Sequence, residues 1–276
     1  MLYSPILSCL RIFPFLIWTV VCTFLQLIYH FLLRKNFFLF YKIFFKGLVK
    51  IFGIKVNIKG RQSKKNVLFV SNHISYLDIF VLGSSVDALF IAKSEIDSWP
   101  FINKMCALGR TIFVNRNDII KVKGQMSRIT STLKTGYSVI LFPEGTSSDG
   151  SKVLPFKTSL LGVIEDQDKD KYSEEFYLQP ISISYGKLDG IPIEIKFRPF
   201  FAWFGNMDLV SHAWKFLGLG FSEVNINFHK PKRFLDFKNR KHAAKYCHDI
   251  ISSQISNDFQ NLEVEKKIRL SELMLL

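Results

Sequence analysis

Residues 12–33 read IFPFLIWTVVCTFLQLIYHFLL, twenty-two positions without one charged side chain. Water does not tolerate such a run. As a helix rising ~1.5 Å per residue, it reaches about the thickness of a bilayer's hydrocarbon layer. Arg11 precedes it, and Arg34 and Lys35 follow. It is too long for a cleavable signal peptide, and no small-x-small cleavage site comes after it. The alternative is a buried helix of a soluble core.

The next stretch, residues 37–54, reads FFLFYKIFFKGLVKIFGI, with Lys42, Lys46 and Lys50 four residues apart. On a helix these lysines form one stripe beside an apolar remainder. A helix lying in a lipid interface has that design, and so does a core helix with a solvated stripe. Residues 1–54 are therefore expected to anchor the chain, and residues 55–276 to form the main domain. Residues 12–33 could span a bilayer, or the two segments could enter one leaflet as a hairpin. The hairpin is the preferred expectation, because Pro14 and His30 shorten the apolar part of the first segment.

Length and charge bound the partner. A chain of 276 residues has ample length for a core, and its 28 phenylalanines accompany a net charge of +14. A basic, aromatic-rich chain suits nucleic acid, a phospholipid surface or a phosphate-bearing substrate. No zinc-finger, RNP-like or helix-turn-helix signature is present, which argues against nucleic acid. Cys9, Cys22, Cys106 and Cys247 are scattered without a CxxC pair, so neither a metal site nor a disulfide framework is expected. Neither nucleotide-loop motif, GxGxxG or GxxxxGK[ST], occurs.

Beyond residue 55, short apolar runs alternate with helical patterns. Val67–Val70, Ala88–Ala92, Thr111–Val114 and Ser138–Phe142 suit strands, while residues 100–108, 119–135 and 240–276 suit helices. The alternation predicts an α/β fold with a central, mostly parallel or mixed sheet flanked by helices. The charged run 166–175 reads as a surface loop.

Four polar constellations punctuate these elements. His73 and Asp78 follow the Val67–Val70 strand. A histidine near neutrality can take a proton, and an aspartate on its other nitrogen fixes the tautomer. Five residues subtend roughly 140° more than a full turn on a helix, so the pair meets only if His73 lies in the turn and Asp78 in the first helical turns. Ser71-Asn72 offers a helix cap. The second constellation is Gly109–Arg116, which places a guanidinium at a strand's carboxyl end, where ligands of open α/β sheets bind. The third, Phe142-Pro143-Glu144-Gly145-Thr146-Ser147-Ser148-Asp149-Gly150, combines a carboxylate, a flexible glycine and several hydroxyls. The fourth is Gln179-Pro180-Ile181, whose plain reading is edge-strand punctuation.

In this order, these four blocks resemble the membrane-bound glycerolipid acyltransferases, the 1-acylglycerol-3-phosphate acyltransferase family. The resemblance covers roughly residues 37–200 and implies a glycerol-3-phosphate acyltransferase-like fold. It implies transfer of an acyl chain from an acyl thioester, acyl-CoA or acyl carrier protein, to the hydroxyl of a lysolipid, with no cofactor beyond that donor. His73 would be the base and Asp78 its orienting partner. Arg116 would hold the acceptor's phosphate, Glu144, Gly145, Thr146 and Ser147 would position the acceptor, and Pro180 would shape the wall near the donor. No GxSxG elbow is present for an acyl-enzyme route. The implied acceptor is 1-acylglycerol-3-phosphate, giving phosphatidic acid. Ser147 stands where the family often carries arginine, which keeps lyso-ornithine lipid or another lysophospholipid as the alternative. The implied location is the cytoplasmic face of a plasma or inner membrane, with membrane lipids as partners. The competing class is a non-catalytic basic protein that binds membrane surfaces.

Overall fold

A computed structural model describes residues 3–32, 38–64, 66–94, 98–99, 102–114, 119–165 and 176–274. The strands are β1 (Ile54–Lys59), β2 (Val67–Ser71), β3 (Ala88–Lys93), β4 (Ile112–Val114), β5 (Ser138–Leu141), β6 (Tyr177–Leu188), β7 (Ile191–Pro192), β8 (Ser222–Phe228) and β9 (Lys232–Arg233). Among the described residues they form one nine-stranded sheet, ordered β1-β8-β6-β2-β5-β3-β4, with β7 and β9 also paired to β6. Every residue of β2 and β5 is buried. Central parallel strands covered on both faces require such continuous apolar runs. β6 pairs parallel with β2 but antiparallel with β8, so the sheet is mixed.

Pro180 corrects the edge-strand reading. It lies in the middle of β6, beside Val70 of β2. On the other flank, β8 pairs only from Ile181 onward and β9 only up to Leu178. Pro180 faces the gap between them, where no ladder bond needs its missing N–H, and its carbonyl accepts the N–H of His229 at 3.0 Å.

The helices are α1 (Pro5–Leu32), α2 (Phe38–Ile51), α3 (Leu77–Ser85), α4 (Ile102–Leu108), α5 (Ile119–Lys134), α6 (Leu209–Leu217) and α7 (Arg240–Met274). α2 is a core helix rather than one lying wholly in a lipid interface. Tyr41, Phe45, Leu48 and Val49 form its buried face, with the i, i+4, i+7, i+8 spacing of one helical side. Phe45 rests on α3 at Gly83, where an added Cβ would lie 2.4 Å from the ring. Lys46 and Lys50 are exposed, and Lys42 pairs with Asp87 at 2.8 Å.

α1 lies along the domain. Ser8 Oγ donates to Trp214 O at 2.9 Å, Arg11 Nη1 donates to Leu217 O and Leu219 O at 3.0 and 2.7 Å, and Trp18 Nε1 donates to Phe44 O at 3.0 Å. The opposite side is an open apolar stripe of Ile6, Leu10, Phe13, Ile17, Val20 and Phe24, each more than 60% exposed. Steps of four and three residues put them on one face.

Alternation along β6 sends its side chains to two layers. Gly186 meets Leu262 of α7, and Ser184 donates to the buried Asp258 carboxylate of the same helix. Tyr185 points the other way, to α3. This register places a phenol beneath the turn that follows β2.

Candidate active site

The chain leaves β2 at Ser71 and enters α3 at Leu77, so His73 sits in the intervening turn and Asp78 in the first helical turn. Their side chains meet, with His73 Nδ1 2.9 Å from Asp78 Oδ2. A carboxylate only accepts, so the proton of this bond is on Nδ1, and in the neutral ring the lone pair is then on Nε2. Asp78 is fully buried. Its Oδ2 also accepts the N–H groups of Ile74 and Ser75 at 2.7 and 2.9 Å, and its Oδ1 accepts the Tyr185 hydroxyl at 3.0 Å. These bonds compensate a buried charge and hold it in one place.

Asn72 and Ser71 do not cap α3, contrary to the sequence expectation. The Asn72 amide instead bonds both the N–H and the C=O of Ile183, each at 2.9 Å. It extends the β2–β6 ladder one step past the strand. Asp78 takes the N–H groups of Ile74 and Ser75 in its place.

The His73 ring is 20% exposed and lies stacked on Phe142, with centroids 4.2 Å apart. The third block wraps behind it. Glu144 is 3% exposed; its Oε1 accepts the His73 N–H at 2.8 Å and its Oε2 the Leu154 N–H at 2.9 Å. Burial pushes the Glu144 carboxyl up to about 8, against the pull of those two N–H groups. Ser148 N–H donates to His73 O at 3.0 Å. The turn needs Gly145, whose φ is +75° and whose Cα is crossed by the Lys157 side chain, 2.9 Å from where a Cβ would be. Thr146 is exposed and Ser147 half-buried.

The structure thus brings His73, Asp78, Glu144, Gly145, Thr146 and Ser147 together, with Glu144 turned inward as a brace. Pro180 is buried in the sheet beside Val70. Arg116 lies outside the described residues, as does the charged run 166–175. Sequence reasoning placed Ser148 in the third constellation without a role of its own, and missed Tyr185 and Trp203; the Trp203 N–H donates to Ile74 O at 3.0 Å. Tyr185 could have been found from the alternation Ile181-Ser182-Ile183-Ser184-Tyr185, which assigns it the apolar face. Among the described residues, no cluster of His, Cys, Asp and Glu suits a metal ion.

Residues 53–184 match the sequence profile of the Acyltransferase family. The lyso-ornithine lipid O-acyltransferase of Rhizobium meliloti (strain 1021) is 34% identical over 208 residues, which is 75% of this chain and 71% of that protein. This chain belongs to the acyltransferase family. The 1-acyl-sn-glycerol-3-phosphate acyltransferase of Neisseria gonorrhoeae is 38% identical to this acyltransferase over 108 residues, 39% of this chain and 42% of that protein. The crystal structure of the 1-acyl-sn-glycerophosphate acyltransferase PlsC from Thermotoga maritima superposes with a TM-score of 0.64 at 21% identity, covering 91% of this chain and 96% of that one. That likeness fixes the fold, a mixed sheet flanked by helices with an apolar helix at the N-terminus.

Proposed function

We propose that this acyltransferase moves an acyl chain from the thioester of coenzyme A or acyl carrier protein to the hydroxyl of lyso-ornithine lipid. The bond between His73 Nδ1 and Asp78 Oδ2 carries the reading. It leaves Nε2 free to take the acceptor's hydroxyl proton while that oxygen attacks the thioester carbonyl. The tetrahedral intermediate then expels the thiolate, which recovers the proton from the imidazolium. Acylated lipid and free thiol leave, and no acyl-enzyme forms. Asp78 stabilises the imidazolium without itself being protonated. Thr146 and Ser147 contact the acceptor, Arg116 would hold the phosphate of a phosphate-bearing acceptor, Glu144 and Gly145 shape the turn, and Pro180 spaces the sheet behind them.

Two observations favour lyso-ornithine lipid as acceptor. The relative of that name matches over most of both chains, and Ser147 stands where a phosphate-binding arginine is common in the resembling family. A second reading, 1-acylglycerol-3-phosphate, has the higher local identity in its favour.

α1 is long and apolar enough to cross a bilayer, with only 11% of its apolar window buried. Its bonds to α2 and α6 favour a helix lying in one leaflet of the membrane's cytoplasmic face, with the open stripe in lipid. Such a posture presents His73 to an acceptor held in the same leaflet.

The test is incubation of purified protein with labelled acyl thioester and a panel of lysolipids. Transfer to lyso-ornithine lipid is expected; transfer to no lysolipid would overturn the reading.

A further inference from the structure

Arg198 is only 8% exposed, a degree of burial that a guanidinium rarely reaches unpaired. It lies in the tight turn Ile195–Phe200. Its Cζ is 3.3 Å from the centroid of the Phe259 ring on α7. Among the described residues, no carboxylate lies within ion-pairing distance of it and no acceptor receives its side-chain N–H groups, although the charges of Glu263 foremost, and then Asp149, act on it from further away. Stacking on an aromatic face orients the fork but leaves its in-plane donors unused.

The turn carrying Arg198 borders the catalytic residues. Its carbonyl accepts the N–H groups of Phe201 and Ala202 at 2.9 and 3.2 Å. The next residue, Trp203, is bonded to Ile74, the neighbour of His73. Asp149 lies on a second segment that reaches the same turn. It follows Ser148, which is bonded to His73 O, and precedes Gly150, where an added Cβ would lie 3.1 Å from the Ile74 side chain. Asp149 Oδ1 accepts the Ser151 N–H at 2.9 Å and the Ser151 hydroxyl at 2.7 Å, and Oδ2 has no partner among the described residues. The Ser151 bonds foremost, and then the charges of Lys152 and Arg198, keep this carboxyl below its ordinary range. Two segments that clasp Ile74 therefore bring a guanidinium without a hydrogen-bond acceptor and one half-occupied carboxylate to the same neighbourhood, with the Glu263 charge of α7 nearby.

We propose that Arg198 and Asp149 form a headgroup subsite for a zwitterionic, amino-acid lysolipid. The guanidinium takes the headgroup carboxylate, and Asp149 Oδ2 takes its ammonium. Ornithine acylated on its α-nitrogen keeps one group of each kind, joined by a short methylene chain. A phosphate monoester offers only negative charge, so Asp149 would repel it; attraction of one headgroup and repulsion of the other together make a specificity device. The subsite rests on the lysolipid acyltransfer proposed above.

The experiment measures kcat and KM with lyso-ornithine lipid and with 1-acylglycerol-3-phosphate, using the full chain in detergent micelles and the variants Asp149→Asn and Arg198→Gln. Asparagine keeps an oxygen for the two Ser151 bonds, so Asp149→Asn preserves the turn. It should raise KM for lyso-ornithine lipid about tenfold or more, the range of one lost charge-assisted bond, with kcat little changed. It should lower KM for 1-acylglycerol-3-phosphate. Arg198→Gln should raise KM for lyso-ornithine lipid at least as much; if that buried change unfolds the chain, Asp149→Asn decides alone. Equal effects of Asp149→Asn on both acceptors, or none on either, overturn the subsite. A wild-type protein that acylates only 1-acylglycerol-3-phosphate also overturns it while leaving lysolipid acyltransfer standing. A wild-type protein that acylates neither overturns both.

Discussion

The Tyr185 hydroxyl donates to Asp78 Oδ1 at 3.0 Å, linking strand β6 to the turn that holds His73 across 107 residues of chain. The bond is fully buried, so the phenol faces no competing water. Burial and the adjacent Asp78 charge raise the Tyr185 pKa far beyond neutrality, which keeps it a donor. Tyr185→Phe removes that donor and leaves Oδ1 of a buried carboxylate unsatisfied. The expected loss of stability is about 1.5–3 kcal/mol, with kcat reduced and acceptor KM unchanged. Thermal unfolding and steady-state kinetics check both parts; a rise in KM with kcat intact would place Tyr185 in binding instead.

Glu144 makes stability depend on pH in an unusual direction. Its pKa rises from 4.5 to about 8 on folding, mainly through burial. Between those values the folded protein holds a proton that the unfolded chain releases. The contribution of Glu144 is therefore complete at the acid end of the window and declines as pH rises through it. Glutamine does not titrate, so Glu144→Gln should flatten the fall of Tm between pH 5 and 8, roughly the window given by those two pKa values. Parallel Tm profiles for the two proteins would exclude Glu144 as the source.

Gly145 is expected to resist substitution. Alanine there must adopt φ +75° and displace Lys157. The left-handed conformation alone costs about 1–2 kcal/mol for a side-chain-bearing residue. Gly145→Ala should lower Tm and acyl transfer together, because the same turn carries the bonds to His73. An alanine protein with wild-type Tm and rate would show that the turn can relax.

The open stripe of α1 predicts the mode of membrane attachment. Phe13→Glu with Ile17→Glu places two charges on the exposed face and none against the domain. Flotation with anionic vesicles should show release of the variant, while activity on micellar acceptor persists. Exposed Cys9 offers a check on sidedness. A one-leaflet helix on the cytoplasmic face leaves Cys9 protected from impermeant thiol reagents outside sealed cells and reactive in inside-out vesicles. Labelling from outside would support a span.

The sequence made the alternation of elements and the polar turns legible, because strand, turn and helix chemistry are local. Val67–Val70 reads as a buried strand from four residues, and His73 and Asp78 stand five apart with only one conformation that joins them. What remained hidden depends on contacts distant in sequence. Glu144 reads as a residue facing substrate until the backbone of His73 and Leu154 is seen to occupy both its oxygens. Pro180 reads as an edge marker until β8 and β9 are seen to leave a gap opposite it. The lysine stripe of α2 looks like a lipid interface because amphipathicity alone does not say whether lipid or protein covers the apolar side.

The most direct measurement is the rate of acyl transfer by His73→Ala, with folding followed by Tm and attachment by vesicle flotation. The ring is partly exposed and the turn is held by main-chain bonds, so the variant should fold and bind membranes as the wild type does. Loss of a general base should cut turnover by about 10²–10⁴-fold. A folded His73→Ala protein that turns over at a near-normal rate would contradict the account.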